Sequence, residues 1–193
     1  EILRCLVGSE MCIRDSVYIA AFGLFTEVSY KTSQQLKNIF GHVAYIMEGV
    51  KQLRDIPSFR MQVEYDGKVF QDEFIYGMVT NSVSVGGFKG MTGNDVKLDD
   101  GLFEVTLIRN PKNPIELNEI LACLTNMIDD SDLIYSFKTD AVHITAKEEV
   151  PWTLDGEFGG AHREVVIRNL KQRVEIFLSL IHISEPTRHL RIS

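Results

Sequence analysis

The stretch Trp152-Thr-Leu-Asp-Gly-Glu-Phe-Gly-Gly160 places the dipeptide Asp155-Gly156 at the junction of two segments with strand character. Asp-Gly is the commonest tight-turn signal between antiparallel strands. The stretch therefore predicts a β-hairpin.

Working outward, the same signal occurs at Asp66-Gly67, where an alternating segment over residues 59–65 meets a long strand pattern over residues 68–81. Gly23 interrupts the first strand, and we expect a bulge or a close approach of two backbones there. Further patterns predict strands over residues 17–30, 102–109, 133–138, 141–146, 152–154, 164–168 and 173–178, and two helices over residues 32–54 and 115–128. Many strands with only two helices predict a mainly β fold, an antiparallel β-sandwich or curled sheet.

The two ends of the chain differ from its middle. Residues 1–16 (EILRCLVGSEMCIRDS) and 179–193 (SLIHISEPTRHLRIS) have no clean period of 2 or 3.6, and no turn signal joins them to their neighbours. Both resemble translated sequencing-adapter read-through, and ordinary flexible termini are the alternative. We therefore expect non-native, adapter-derived ends at 1–16 and 179–193 around a single domain over residues 17–178.

Composition limits the classes of partner. The 193-residue chain has a formal net charge of −7, which argues against nucleic acid and against strong electrostatic binding to anionic lipid. No apolar run reaches the roughly 20 residues that span a bilayer, so any membrane contact would be peripheral. Outside the suspect ends the only cysteine is Cys123, so we expect no disulfide framework and predict a reducing, cytosolic compartment.

Two acids, Asp155 and Glu157, flank Gly156 in the predicted turn. Residues two apart on an extended segment point the same way, and like charges that share a face push their pKa values apart. One acid can then act as a base while its neighbour holds geometry or charge. From the motif alone, an ordinary hairpin turn and a catalytic site are both open.

A second acidic segment, residues 93–102 (GNDVKLDDGL), contains Asp95, Asp99 and Asp100. Carboxylate and carbonyl oxygens are the ligands that hard cations such as Mg²⁺ take in proteins. The spacing is not that of an EF-hand, and the pattern alone leaves open both a solvated acidic turn and a metal site.

Several segments together resemble the bacterial diacylglycerol kinase family, soluble lipid kinases related to sphingosine and ceramide kinases. They are the first strand and helix over residues 17–53, VEYDGKVF at 63–70, VTNSVSVGGF at 79–88, LDDGLFEV at 98–105 and LDGEFGG at 154–160. The order and spacing of the segments match as well as their content. The resemblance covers essentially residues 17–178 and implies the C-terminal β-sandwich domain of such a kinase.

The resemblance implies ATP-dependent phosphorylation of the diacylglycerol hydroxyl to give phosphatidic acid. It implies that Glu157 accepts the hydroxyl proton with Asp155 beside it, and which of the two acids takes the proton stays open. It also implies a Mg²⁺ bound by the Asp100 carboxylate, the main-chain carbonyls of Lys97 and Leu102, and water. A diacylglycerol-type lipid substrate, a cytoplasmic location with peripheral contact at the inner membrane face, and a homodimer in some members follow from the same resemblance.

The sequence departs from the family in one respect. Family members bind ATP in an N-terminal α/β domain with a Gly-Gly-Asp-Gly-Thr-type motif, and that motif does not occur in this sequence. We therefore expect this chain alone neither to bind ATP tightly nor to turn over lipid. Two alternatives are kept: a lipid kinase with another acceptor, such as a phosphatidylglycerol or sphingoid-type lipid, and a non-catalytic β-sandwich lipid-binding module without the ATP domain.

Overall fold

A computed structural model describes residues 2–7, 12–16, 18–24, 57–82, 96–124 and 131–171. Over these ranges the chain forms nine strands and one helix. The strands are β1 (Ile2–Val7), β2 (Cys12–Ser16), β3 (Ile19–Gly23), β4 (Phe59–Tyr65), β5 (Lys68–Thr80), β6 (Phe103–Arg109), β7 (Ile134–Thr139), β8 (Ala141–Leu154) and β9 (Glu157–Leu170), and the helix α1 is Pro114–Leu124. Every strand pairing among them is antiparallel, which confirms the predicted mainly β architecture.

The sheet closes on itself around the two long strands β5 and β8. Its order is β2-β1-β9-β8-β3-β5-β6-β7, and β4 pairs with both β5 and β8. β3 bridges residues 76–80 of β5 and 152–154 of β8, whereas β4 bridges residues 68–74 of β5 and 143–146 of β8. Each long strand therefore contributes to both ends of the closed sheet.

The main core lies inside this closed sheet. Strand β6 shows why, because Phe103, Val105 and Leu107 alternate along it and are completely buried on one face. Burying a side chain of this size stabilises the fold by about 1.5–3 kcal/mol relative to leaving it exposed. Fifteen buried residues from six strands form this cluster.

Helix α1 covers part of the opposite face of the sheet. It begins at Pro114 after Asn113, whose Oδ1 accepts a hydrogen bond from the Glu116 N–H at 2.9 Å, while Glu116 Oε1 accepts one from Asn113 Nδ2 at 2.8 Å. Ile120 and Leu124 then pack in a second buried cluster with residues of β3, β5 and β6. Within the described ranges, no helix is long and apolar enough to cross a membrane.

Most elements predicted within the described residues are confirmed, although the strand predicted over 164–168 is part of the longer β9. The strand predicted over 173–178 and residues 25–30 of the strand predicted over 17–30 lie outside the described residues. The helix predicted over residues 115–128 is Pro114–Leu124 as far as the structure describes it, and the helix predicted over 32–54 lies outside the described residues. The strands predicted separately at 141–146 and 152–154 are one strand, β8, whose pairing with β9 shifts register between Thr145 and Val150. Separate strands were therefore the wrong prediction for this segment, because an irregularity within a strand resembles a break in the sequence pattern.

Residues 1–16, which the sequence sets apart from the domain, include the two strands β1 and β2. β1 pairs with residues 166–170 of β9 and with β2, and Ser16 at the end of β2 is buried. Pairing does not test the adapter origin of residues 1–16, which stays a prediction. The segment 179–193 lies outside the described residues.

Candidate active site

The turn between β8 and β9 consists of Asp155 and Gly156, and it sets Leu154 opposite Glu157. Asp155 has a φ of 51° and Gly156 a φ of 90°. Two-residue hairpin turns with a positive φ at both central residues match the twist of the strands that they join. Glycine adopts this backbone conformation freely and aspartate is among the residues that tolerate it, so the predicted hairpin is confirmed.

The Asp155 carboxylate fastens this hairpin to the segment that leads into β3. Its Oδ1 accepts three hydrogen bonds, from Ser16 Oγ at 2.7 Å and from the main-chain N–H groups of Tyr18 and Ile19 at 2.9 Å each. The Asp155 N–H donates in turn to the Ile19 carbonyl oxygen at 2.9 Å. Hydrogen bonds to an ionised carboxylate are roughly twice as strong as neutral ones, so this side chain is well suited to hold the turn in place.

Glu157 has different surroundings. It is exposed at the first position of β9, and among the described residues its carboxylate has no hydrogen-bond or ion-pair partner. The alternation rule that predicts a shared face applies to extended backbone, whereas Asp155 has a left-handed φ. Both acids of the motif are exposed, and they differ in that the Asp155 carboxylate is hydrogen-bonded to the protein whereas that of Glu157 has no partner among the described residues.

The strand beside the turn, β3, packs closely on its neighbours. The buried Trp152 ring lies 4.9 Å, centroid to centroid, from the ring of Phe22. Gly77 leaves room for that phenyl ring, since a Cβ at this position would lie 2.3 Å from it. At Gly23, with a φ of 85°, a Cβ would lie 2.2 Å from the Ile75 carbonyl oxygen, so the predicted close approach is confirmed.

The described part of the predicted cation loop, residues 96–102, is held by hydrogen bonds on both sides of Asp100, and Asp95 lies outside the described residues. Asp100 Oδ1 accepts a hydrogen bond from the Leu102 N–H at 2.9 Å, and the Leu102 carbonyl accepts one from Asn169 Nδ2 at 3.0 Å. Lys171 Nζ lies 3.4 Å from the Asp100 carbonyl oxygen, and Lys97 is exposed. The loop that carries the three predicted ligand residues is thus fixed to the end of β9.

Glu104, which the sequence analysis did not single out, adds a second carboxylate beside this loop. The residue is 3% exposed, both of its carboxylate oxygens lack a hydrogen-bond partner, and the Lys138 ammonium lies 3.7 Å from Oε1. Burial raises the pKa of Glu104, with a smaller contribution from Asp100, and Lys138 opposes the rise. A charged residue inside the apolar run Phe103–Ile108 was the signal in the sequence.

The chemistry of these donors fits a hard cation. The predicted set contains one carboxylate and two main-chain carbonyls, and Mg²⁺ is typically held by one or two carboxylates with water in the remaining positions. The orphaned oxygens of Glu104 add negative charge nearby. In the part of the chain that the structure describes, no group of three or more His, Cys, Asp or Glu side chains is placed to hold a metal, so any site here depends on the main-chain oxygens.

Comparisons with known proteins extend these observations. Residues 20–177 match the family model of the YegS C-terminal NAD kinase beta sandwich-like domain. Among curated proteins, the chain is 35% identical over 170 residues to a diacylglycerol kinase of Staphylococcus carnosus (87% of this chain, 54% of the relative). It is 34% identical over 146 residues to a diacylglycerol kinase of Bacillus subtilis (75% of this chain, 47% of the relative).

Solved structures show the same fold. A crystal structure named as a diacylglycerol kinase from Bacillus anthracis superposes with a TM-score of 0.54 at 19% identity, over 88% of this chain and 50% of that one. The chain spans about half the length of the curated relatives that it matches. Since the family model covers most of the sequence, the chain belongs to the family of YegS C-terminal NAD kinase beta sandwich-like domains.

Proposed function

We propose that this chain is the lipid-acceptor part of an ATP-dependent lipid kinase that phosphorylates the hydroxyl of diacylglycerol to give phosphatidic acid. The observation that carries the proposal is the β8–β9 turn, where Glu157, exposed and without a partner in the described residues, follows Asp155, whose Oδ1 accepts three hydrogen bonds. The family model matches residues 20–177, which include this turn, and relatives named diacylglycerol kinase match most of the chain.

The two acids have separate roles in this proposal. Glu157 accepts the proton of the acceptor hydroxyl while the hydroxyl oxygen forms its bond to the γ-phosphorus of ATP and the bond from that phosphorus to the bridging oxygen breaks, so that ADP leaves. A base at the hydroxyl oxygen is one of the few groups that phosphoryl transfer requires. Asp155 keeps the turn fixed through Ser16, Tyr18 and Ile19, so that Glu157 is presented in one position. Replacing Glu157 should therefore impair proton transfer itself, whereas replacing Asp155 should impair the positioning of Glu157.

ATP supplies the phosphoryl group, and we assign its binding to another domain of the intact enzyme, because this sequence lacks the Gly-Gly-Asp-Gly-Thr-type motif. This chain alone is then inactive. Mg²⁺ would be held by the Asp100 carboxylate with the Lys97 and Leu102 carbonyls, and it would neutralise charge at the loop that leads into β6. Phe158, 55% exposed beside Glu157, is an apolar side chain suited to contact a lipid.

In this proposal the intact enzyme is a cytoplasmic protein that contacts the inner membrane face peripherally. The family resemblance also implies a homodimer. The test is the activity of an intact kinase that carries this domain. Glu157→Gln should lower turnover by at least about 100-fold, the usual scale of general-base catalysis, without changing the melting temperature. Glu149→Gln is the matched control, because Glu149 is also exposed and also has no partner among the described residues.

Wild-type turnover in the Glu157→Gln enzyme would refute the assigned role. A panel of acceptor lipids tests the substrate. If the intact enzyme prefers phosphatidylglycerol or a sphingoid lipid, that lipid is the acceptor instead of diacylglycerol. If the intact enzyme binds lipid without phosphorylating it, the domain is a lipid-binding module.

A further inference from the structure

A cavity of about 510 Å³ opens where β4, β5, β6 and β8 approach the segment before α1. Six charged side chains line it, four of them cationic and two anionic: Arg60, Arg109, Lys112, Lys147, Asp72 and Glu73. The cavity therefore carries an excess of positive charge in a chain whose formal net charge is −7.

The two carboxylates of the cavity are engaged by neighbouring groups. Asp72 Oδ2 lies 2.8 Å from Arg109 Nε and accepts a hydrogen bond from the Tyr135 hydroxyl at 3.1 Å. Glu73 Oε1 accepts a hydrogen bond from Asn110 Nδ2 at 3.1 Å. Of the four cations, Arg109 forms an ion pair with a carboxylate of the cavity, and the other three do not.

Arg60, Lys112 and Lys147 are exposed, and among the described residues none of their side chains has an acidic group within ion-pair distance. Glu148 lines an adjoining cavity of about 270 Å³, which Arg60 and Lys147 also line, and it does not line the larger one. Three cations that converge on one cavity repel each other, and a bound anion would relieve that repulsion.

The cavity lies far from the β8–β9 turn. Glu73 precedes Thr80 by seven residues on β5, which is roughly 24 Å at about 3.4 Å per residue. Thr80 pairs with Ile19, whose N–H donates to Asp155. A ligand in the cavity is thus separate from the site proposed for phosphoryl transfer.

We propose that this cavity binds a phosphate-bearing anion. A phosphate group offers several acceptor oxygens and about two negative charges, which match one guanidinium and two ammonium groups. The cavity has room for a phosphate together with part of the molecule that carries it. The phosphate belongs either to a free phosphate compound or to the headgroup of an anionic lipid, and the experiment separates these sources.

The test compares two charge-matched double variants of the full chain. R60Q/K147Q removes two cations from the cavity, and R163Q/K68Q removes two exposed cations that do not line it. Inorganic phosphate is titrated while backbone amide shifts are followed by NMR, and co-sedimentation is measured with vesicles of phosphatidylglycerol and, for comparison, phosphatidylcholine. Melting temperatures verify that both variants fold, and the single variant K147Q replaces the double variant if that one unfolds.

We expect R60Q/K147Q to lose at least about tenfold in affinity for a phosphate probe, while R163Q/K68Q keeps the affinity of the wild type. Loss of inorganic phosphate binding identifies a free phosphate compound as the ligand. Loss that is confined to phosphatidylglycerol vesicles identifies a lipid headgroup. The proposal would be overturned if both double variants lost the same affinity, or if the wild-type chain bound neither inorganic phosphate nor phosphatidylglycerol vesicles.

Discussion

Replacement of Asp155 by alanine removes the acceptor of three hydrogen bonds, and the structure indicates what each loss costs. The Ile19 N–H is buried, and leaving a buried donor without an acceptor lowers the free energy of unfolding by about 1–3 kcal/mol. The Tyr18 N–H is exposed, so water replaces its partner. Ser16 Oγ also lies 3.2 Å from the Ile19 carbonyl oxygen and can donate there instead.

The backbone adds a second cost. Asp155 has a φ of 51°, and alanine in this left-handed conformation costs about 1–2 kcal/mol. The sum is about 2–5 kcal/mol in the free energy of unfolding, or a melting temperature lower by about 4–20 °C, at about 2–4 °C per kcal/mol for a chain of this size. Asp155→Asn keeps a side-chain oxygen and tolerates the backbone, so it should lose only about 1–2 kcal/mol, chiefly from the charge.

The assay is urea and thermal unfolding of the full chain followed by circular dichroism. The matched control is Glu157→Ala, two residues away on the same turn, which should stay within about 0.5 kcal/mol of the wild type because its carboxylate has no partner in the described residues. Equal destabilisation by Asp155→Ala and Glu157→Ala, or none by Asp155→Ala, would refute this account of the turn.

Three further predictions concern the strands and the loop. Gly23→Ala should lower the free energy of unfolding by about 2–5 kcal/mol, because the new Cβ would clash with the Ile75 carbonyl and alanine is strained at a left-handed φ. At Gly67 a Cβ would meet nothing within 4 Å, so Gly67→Ala should lose only the backbone strain of about 1–2 kcal/mol. Urea unfolding measures both losses. Burial raises the folded-state pKa of Glu104, so the wild type loses stability as the pH rises through that pKa and the buried carboxyl ionises. Glu104→Gln should therefore be more stable than the wild type at neutral pH without Mg²⁺. This difference in unfolding free energy should close below about pH 4, and a pH-independent difference would contradict it. Mg²⁺ should raise the melting temperature of the wild type but not of Asp100→Ala, and an unchanged wild type would count against the proposed ligands.

The local structure was predictable from the sequence wherever a short-range rule decides it. Asp66-Gly67 and Asp155-Gly156 form two-residue turns because few other dipeptides adopt a positive φ at both positions. Alternation over β4 predicts a strand because one of its faces is packed in the core, whereas β6 is buried on both faces. The start of α1 follows from Pro114 at its first position.

The remaining features depend on partners that are distant in the sequence. Ser16 and Asp155 are 139 residues apart, and no local pattern joins them. Pro151 reads as a break because it has no N–H to donate, yet β8 continues through it beside a register shift, where proline is tolerated. The sequence shows Glu104 as a charged residue within a strand pattern, but its burial arises only when β5 and β7 pair on either side of it.

The hairpin interpretation and the catalytic interpretation of Leu154-Asp-Gly-Glu157 do not compete in this fold. A turn that presents a base must be held rigidly, since small displacements of a reacting group cost much of the rate. Asp155 meets this need by its place in the turn, where its Oδ1 accepts three hydrogen bonds from the chain before β3 although the residue as a whole is exposed. Glu157, the first residue after the turn, is exposed and has no partner among the described residues. Loss of activity on replacing Asp155 should therefore track loss of stability across a series of Asp155 variants, whereas Glu157 variants should lose activity at constant stability.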